Sequence, residues 1–247
     1  MSTTVFLFFL GILSLAVGFY ASIMGNGSLV LVPFFVVTGM PILPAIATMR
    51  AGAIVQEFTA MLVFFRHESL DLWKRALPFW IIAFCFGGIG AYLAVQISQT
   101  ILLFIAAFIT IGILAFGFLL RQIHLKPIAH AKSLLILAGI PLAVYGGFFG
   151  GGFGMFMNML SKSYFPLSQE ATLGIARATG FFMSLSATFV FASFGVIRWH
   201  EWLFAALGLA AGSWMGLTMK ERSSQLWIQW ALTALAITCS VKIIFSP

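Results

Sequence analysis

The chain has 247 residues, 62% of them hydrophobic and 8% charged. A soluble domain carries about 25% charged residues, so a water-soluble fold is excluded and no stretch is polar enough to form a soluble domain of its own. The formal net charge of +7 sits in short connections, where Lys and Arg set membrane orientation, and it does not imply a nucleic-acid partner.

Residues 1–4 hold no Lys or Arg. The apolar run from Val5 ends at Gly25-Asn26-Gly27-Ser28 rather than at a small-residue cleavage site, so no cleavable signal is expected. Further along, apolar segments are predicted at 4–24, 28–39, 45–65, 76–96, 100–120, 133–149, 153–161, 168–194, 201–219 and 225–245. A helix needs about 20 residues to span a bilayer. Segments 28–39 and 153–161 are too short, and each follows a glycine break. Each is expected to fold back on its predecessor as a broken or re-entrant hairpin, which is tolerated at membrane depth only inside protein or beside a water-filled cavity.

Charge orients these segments. Arg66, Lys74 and Arg75 share one connection, Arg121, Lys126 and Lys132 another, and Lys220 and Arg222 a third. Placing all three in the cytoplasm gives six full spans and two re-entrant hairpins with both termini outside. Arg198 is then the one basic connection residue on the opposite side.

The two halves repeat. Gly25 and Gly27 match Gly150 and Gly152 at an offset of 125 residues, and Arg50-Ala51 matches Arg177-Ala178 at 127. With three full spans per half, the repeats have opposite orientation, a recurring transporter architecture with the substrate held where interrupted helices meet. The fold class expected is all-α, with residues 1–125 and 126–247 as two inverted transmembrane repeats of one membrane domain.

The candidate site follows from these breaks. Amides at Gly25, Asn26, Gly27 and Ser28, and at Gly150, Gly151, Gly152 and Gly154, would face a midplane cavity. The short helices after them would point positive N-terminal dipoles at an anion. The alternative is close packing of small residues, the reading adopted for Gly208, Gly212 and Gly216. Arg50 lies about two turns into its helix and Arg177 about three. A cation there costs roughly 3 kcal/mol or more at a helix centre, and a guanidinium fork suits an oxyanion. Each arginine could instead snorkel to the interface or pair with a carboxylate. Glu57, two turns after Arg50 and on the same face, is a candidate for proton coupling or a structural counter-charge. Gln56, Thr48, Asn158, Ser184 and Ser186 could line a pathway, or could form helix–helix hydrogen bonds.

Several residues point away from other chemistry. Cys85 and Cys239 read as small buried residues, and the four histidines lack metal-ligand spacing, so no metal or cofactor is expected. Trp73, Trp199, Trp202, Trp227 and Trp230 suit interface belts. No phosphate-loop motif is present.

In Gly18 to Pro33, Ala47-Thr48, Gly146 to Gly154 and Gly195 to Trp202, the sequence resembles the TauE/SafE family of sulfite and organosulfonate exporters. The resemblance covers about residues 10–245. Asn26 and Ser28 stand where that family usually has more glycine, and Asn158 stands where a counterpart of Pro33 would be. The resemblance implies transport of sulfite, sulfonates or related organosulfur anions across the bacterial inner membrane; the residues alone say only "anion". The reading is a non-enzymatic, multi-pass secondary transporter working by alternating access, with a small anion and the lipid bilayer as its partners. An anion channel and a non-transporting membrane assembly factor or enzyme are the alternatives. Oligomeric state is left open, a homo-oligomer included. The topology has a direct check: a reporter fused to the C-terminus is expected to report from outside the cytoplasm, and a cytoplasmic signal would contradict it.

Overall fold

The computed structural model describes residues 3–24, 27–65, 70–120, 132–165, 167–219 and 223–245. Ten helices follow in chain order: α1 (Thr3–Met24), α2 (Ser28–Val37), α3 (Ile42–Phe65), α4 (Leu70–Gln96), α5 (Gln99–Leu120), α6 (Lys132–Phe148), α7 (Phe153–Tyr164), α8 (Gln169–Ser193), α9 (Trp199–Thr218) and α10 (Ser223–Phe245). No strand occurs among the described residues. Each helix coincides with one predicted segment. The largest difference is at α4, which starts six residues early because Asp71, Lys74 and Arg75 belong to its first turns. Apolarity marks the membrane-embedded part of a helix, not its whole length.

Local chemistry sets the ends. After α2, Gly39 takes a φ of +98°, a left-handed conformation open to glycine, and Pro41 then accepts the Ala45 N–H at 3.0 Å to start α3. The Ser168 hydroxyl caps α8 by accepting the Ala171 N–H at 3.2 Å. Gly195, with φ +66°, turns the chain after α8.

The core is a crossed pair, α3 and α8, running antiparallel. Arg50 meets Ser184, Glu57 meets Gly180, and Phe64 meets Gly174. On the far side of α3, α9 runs parallel to it: Gly52 lies against Leu209, and Ser213 donates to the Gln56 carbonyl at 3.2 Å. On the far side of α8, α4 runs parallel: Trp80 stacks on Phe182 and Tyr92 meets Phe194. Outside these, α1 runs along α9 and α6 along α4. These pairings map onto one another when α1–α5 are exchanged for α6–α10. Because α1 and α3 both run parallel to α9, α2 carries the chain back between them; α7 does the same between α6 and α8.

Glycine makes the outer contacts close. A Cβ on Gly147 would stand 1.8 Å from the Gly87 carbonyl oxygen, and one on Gly212 would stand 2.0 Å from that of Leu15. Gly208 and Gly216 meet α1 backbone in the same way, so that row packs helices as expected. The exterior is apolar, with Phe8, Phe108, Phe189 and Leu207 exposed, while Arg50, Glu57 and Arg177 are buried. That distribution suits a lipid surround.

The structure corrects some expectations. Of the six predicted full spans, α3, α4 and α8 each hold an apolar stretch long enough to cross a membrane, whereas α5 and α10 are described only in part. His200 and Glu201 in its first turn, with glycine and tryptophan further on, lower the hydropathy of α9. In contrast α1, expected only as a hairpin arm, contains a spanning stretch at Val5–Ser22. Cys85 is exposed on the apolar exterior, whereas Cys239 is buried. Trp73 is buried beside Trp80 rather than placed in a belt; Trp199 and Trp230 are exposed, and the Trp227 side chain lies outside the described residues. The close α4–α6 contact is testable. Gly147→Ala is expected to destabilise the fold by about 1–3 kcal/mol through overpacking, read as a lower melting temperature in detergent. Gly112→Ala, with open space around it, is expected to leave melting unchanged.

Candidate functional site

Both arginines are the ninth residue of their helices, α3 and α8. The sequence reading put Arg177 a turn deeper than Arg50. The start of α3 at Ile42, three residues before the expected one, places them at matching depth. Arg50 is 3% exposed and Arg177 2%, so neither snorkels to an interface.

Each arginine reaches into the other half. Arg50, on α3, donates through Nη1 to Ser184 Oγ at 3.3 Å and through Nη2 to Ser28 Oγ at 2.5 Å. Its guanidinium lies flat against Gly150: a Cβ there would stand 2.2 Å from Arg50 Cζ. Gly150 also has a φ of +78°, so glycine is required there twice over. Arg177, on α8, donates through Nη2 to the Ala21 carbonyl at 2.5 Å. That carbonyl belongs to the last turn of α1, where the break leaves acceptors without helical partners. A cation at a helix C-terminus also meets the negative end of the dipole.

Neither Gly27, before α2, nor Gly152, before α7, supplies a side-chain cap. At α2 the first backbone bonds to the break are from the Val30 and Leu31 N–H to the Gly27 carbonyl, so the cap leaves the Ser28 and Leu29 amides to other partners. Tyr145 Oη donates to the Gly151 carbonyl, which pins the second break to α6.

These groups line one cavity. Of the expected site residues, Gly27, Ser28, Arg50, Glu57, Gly150, Gly154 and Arg177 border it, and Met49, Ala53, Gln56 and Phe153 complete the wall. Its free volume is about 10 Å³ for the centre of a water-sized sphere, room for about one water. A polyatomic anion requires the surrounding helices to part. Glu57 Oε2, Arg50 Nε and Arg177 Nε are buried without hydrogen-bond partners.

Other expected residues sit elsewhere. Gly151 and Gly152 shape the turn, Gly152 packing on Ile113 of α5. Gly25 and Asn26 lie outside the described residues. Thr48 accepts the Arg198 N–H at 3.0 Å, and Ser186 bonds the Met183 carbonyl at 3.0 Å; both serve local structure. Asn158 Oδ1 is buried without a partner but does not border the cavity. Tyr145 was not anticipated, although a signal existed: Tyr20 and Tyr145 stand at the offset of 125 that relates the breaks, each five residues before the first glycine.

The profile of the family described as "Sulfite exporter TauE/SafE" matches residues 10–243. The chain belongs to the TauE/SafE family. Among its relatives is a "Probable membrane transporter protein ORF9" of Sinorhizobium sp., 25% identical over 252 aligned positions that cover 97% of this chain and 92% of the relative. A "Probable membrane transporter protein" of Haemophilus influenzae is 24% identical over 237 positions, covering 93% and 92%. No solved structure matches significantly. The family and these relatives make the chain a multi-pass membrane transporter.

Loss of either guanidinium removes charge-assisted bonds worth about 1.5–3 kcal/mol each. Arg50→Ala and Arg177→Ala are therefore expected to lower anion uptake into membrane vesicles by about tenfold to a hundredfold, with normal amounts of protein in the membrane. Wild-type uptake by both variants would remove the arginines from the site.

Proposed function

We propose that the protein is a secondary carrier of a small oxyanion, sulfite or an organosulfur anion, across the bacterial inner membrane. The observation that carries this reading is one small cavity bordered by two buried arginines and by the starts of two uncapped short helices, α2 and α7. Amides at helix starts and guanidinium forks are the donors that an oxyanion uses. The family description, sulfite exporter, supports the substrate class.

Alternating access follows from the exchange of contacts between halves. The antiparallel crossing of α3 and α8 supports two inverted repeats, residues 1–125 and 126–247, which rock about the site and expose it to each side in turn. A cavity with room for about one water favours a carrier over an open channel, since a pore conducts through a continuous water-filled path. Transport by this route involves no bond making, so no catalytic group is assigned.

Purified protein in proteoliposomes tests the proposal. Saturable counterflow of labelled sulfite, inhibited by organosulfonates, is the expected result. Large single-channel currents would overturn the carrier reading, and no flux of any oxyanion would overturn the substrate class.

A further inference from the structure

The matched arginines face unmatched partners. The offset of 127 residues that relates Arg50 to Arg177 also relates Glu57 to Ser184. Arg50 crosses from α3 to Ser184 on α8; on the return side, Glu57 of α3 packs on Gly180 of α8 and borders the same cavity as Arg177. The two halves are thus alike in cations and unlike in the group opposite, a hydroxyl on one side and a carboxylate on the other. Glu57 is 8% exposed and borders the cavity, and its Oε2 is buried without a hydrogen-bond partner.

Among the described residues, no other charged side chain borders the cavity. Among the described residues, α1, α2 and α5 carry no charged side chain. On α8 the other charged group is Glu170, exposed in the first turn. On α9, His200 and Glu201 lie in the first turn, well before Leu209, which marks the level of Gly52. Tyr145 of α6 is the nearest further titratable group, and its hydroxyl is engaged by the Gly151 carbonyl. The cavity therefore holds two cations and one carboxylate. With Glu57 ionised, one negative charge makes it neutral. A second negative charge leaves an excess anion in a site shielded from water, where an unbalanced charge is costly.

Resting on the anion-carrier reading, we infer that Glu57 sets the charge that the site accepts: a monoanion enters alone, and a dianion enters together with one proton taken up by Glu57. The proton comes from the aqueous side to which the site is open, the carboxylate becomes a carboxylic acid, and both are released on the other side. Substrate charge, not only shape, decides whether transport draws on the proton gradient.

The test uses the full-length protein in proteoliposomes with two probes of fixed charge across neutral pH, methanesulfonate as monoanion and thiosulfate as dianion. Labelled anion flux and lumenal pH are followed together. Wild type is expected to move one proton with each thiosulfate and none with methanesulfonate, and the thiosulfate KM is expected to rise toward about tenfold per pH unit where Glu57 is ionised, by linkage. Glu57→Gln is expected to carry thiosulfate without proton movement and without that pH dependence. Equal proton movement with both anions, or proton-coupled thiosulfate transport by Glu57→Gln, would overturn the inference. Should Glu57→Gln fail to fold, the comparison of the two anions in wild type decides alone. Saturable flux without a difference between the anions sinks this inference only, whereas no saturable flux of either anion sinks the carrier reading and this inference with it.

Discussion

Two buried arginines hold the halves of this protein together by crossing over. Arg50 leaves α3 in the first half and lies against Gly150 in the second; Arg177 leaves α8 in the second half and bonds the end of α1 in the first. A cation inside a bilayer is costly; Arg177 offsets part of that cost with a carbonyl at the broken end of α1, and Arg50 with the hydroxyls of Ser28 and Ser184. The first break and the two arginines are thus one device. Without that break Arg177 would lose the Ala21 carbonyl and Arg50 the Ser28 hydroxyl.

The rest of the bundle keeps this device in place. The antiparallel α3–α8 pair sets the arginines at equal depth from opposite ends of the pair, since each is the ninth residue of its helix. Glycine allows α4 to press on α6 and α9 on α1 at backbone distance, which leaves little slack between helices. Tyr145 ties the second break to α6. What remains at the centre is a small cavity with donors in excess: the arginine Nε groups have no partner, and two short helices begin there without side-chain caps. A site with surplus donors and room for about one water has the character of a closed anion carrier.

Much of this was legible in the sequence, for physical reasons. Ten helices followed from ten apolar runs separated by Gly, Pro and charge. The breaks showed because Gly25-Asn26-Gly27 and Gly150-Gly151-Gly152 interrupt runs that are otherwise uniformly apolar, and the arginines showed because a charge is conspicuous in such a run. Other features were hidden because hydropathy carries no direction. It does not say which face of a helix looks inward, so Trp73 was read as interfacial and Cys85 as buried, the reverse of what packing dictates. Nor does it show which residues meet across the halves. Ser184 was one of several polar candidates until α8 placed it opposite Arg50, and Tyr145 was invisible without the turn that it ties.

The central claim is that the cavity between the two arginines is where the anion rests. A structure of the protein bound to selenite, a heavier analogue of sulfite, tests this most directly, because selenium is located by its anomalous scattering. A single anomalous peak within hydrogen-bonding reach of Arg50 and Arg177, beside Ser28 and Gly150, is the predicted result. A peak confined to the protein surface, with the arginines unmoved and the cavity still closed, would contradict it.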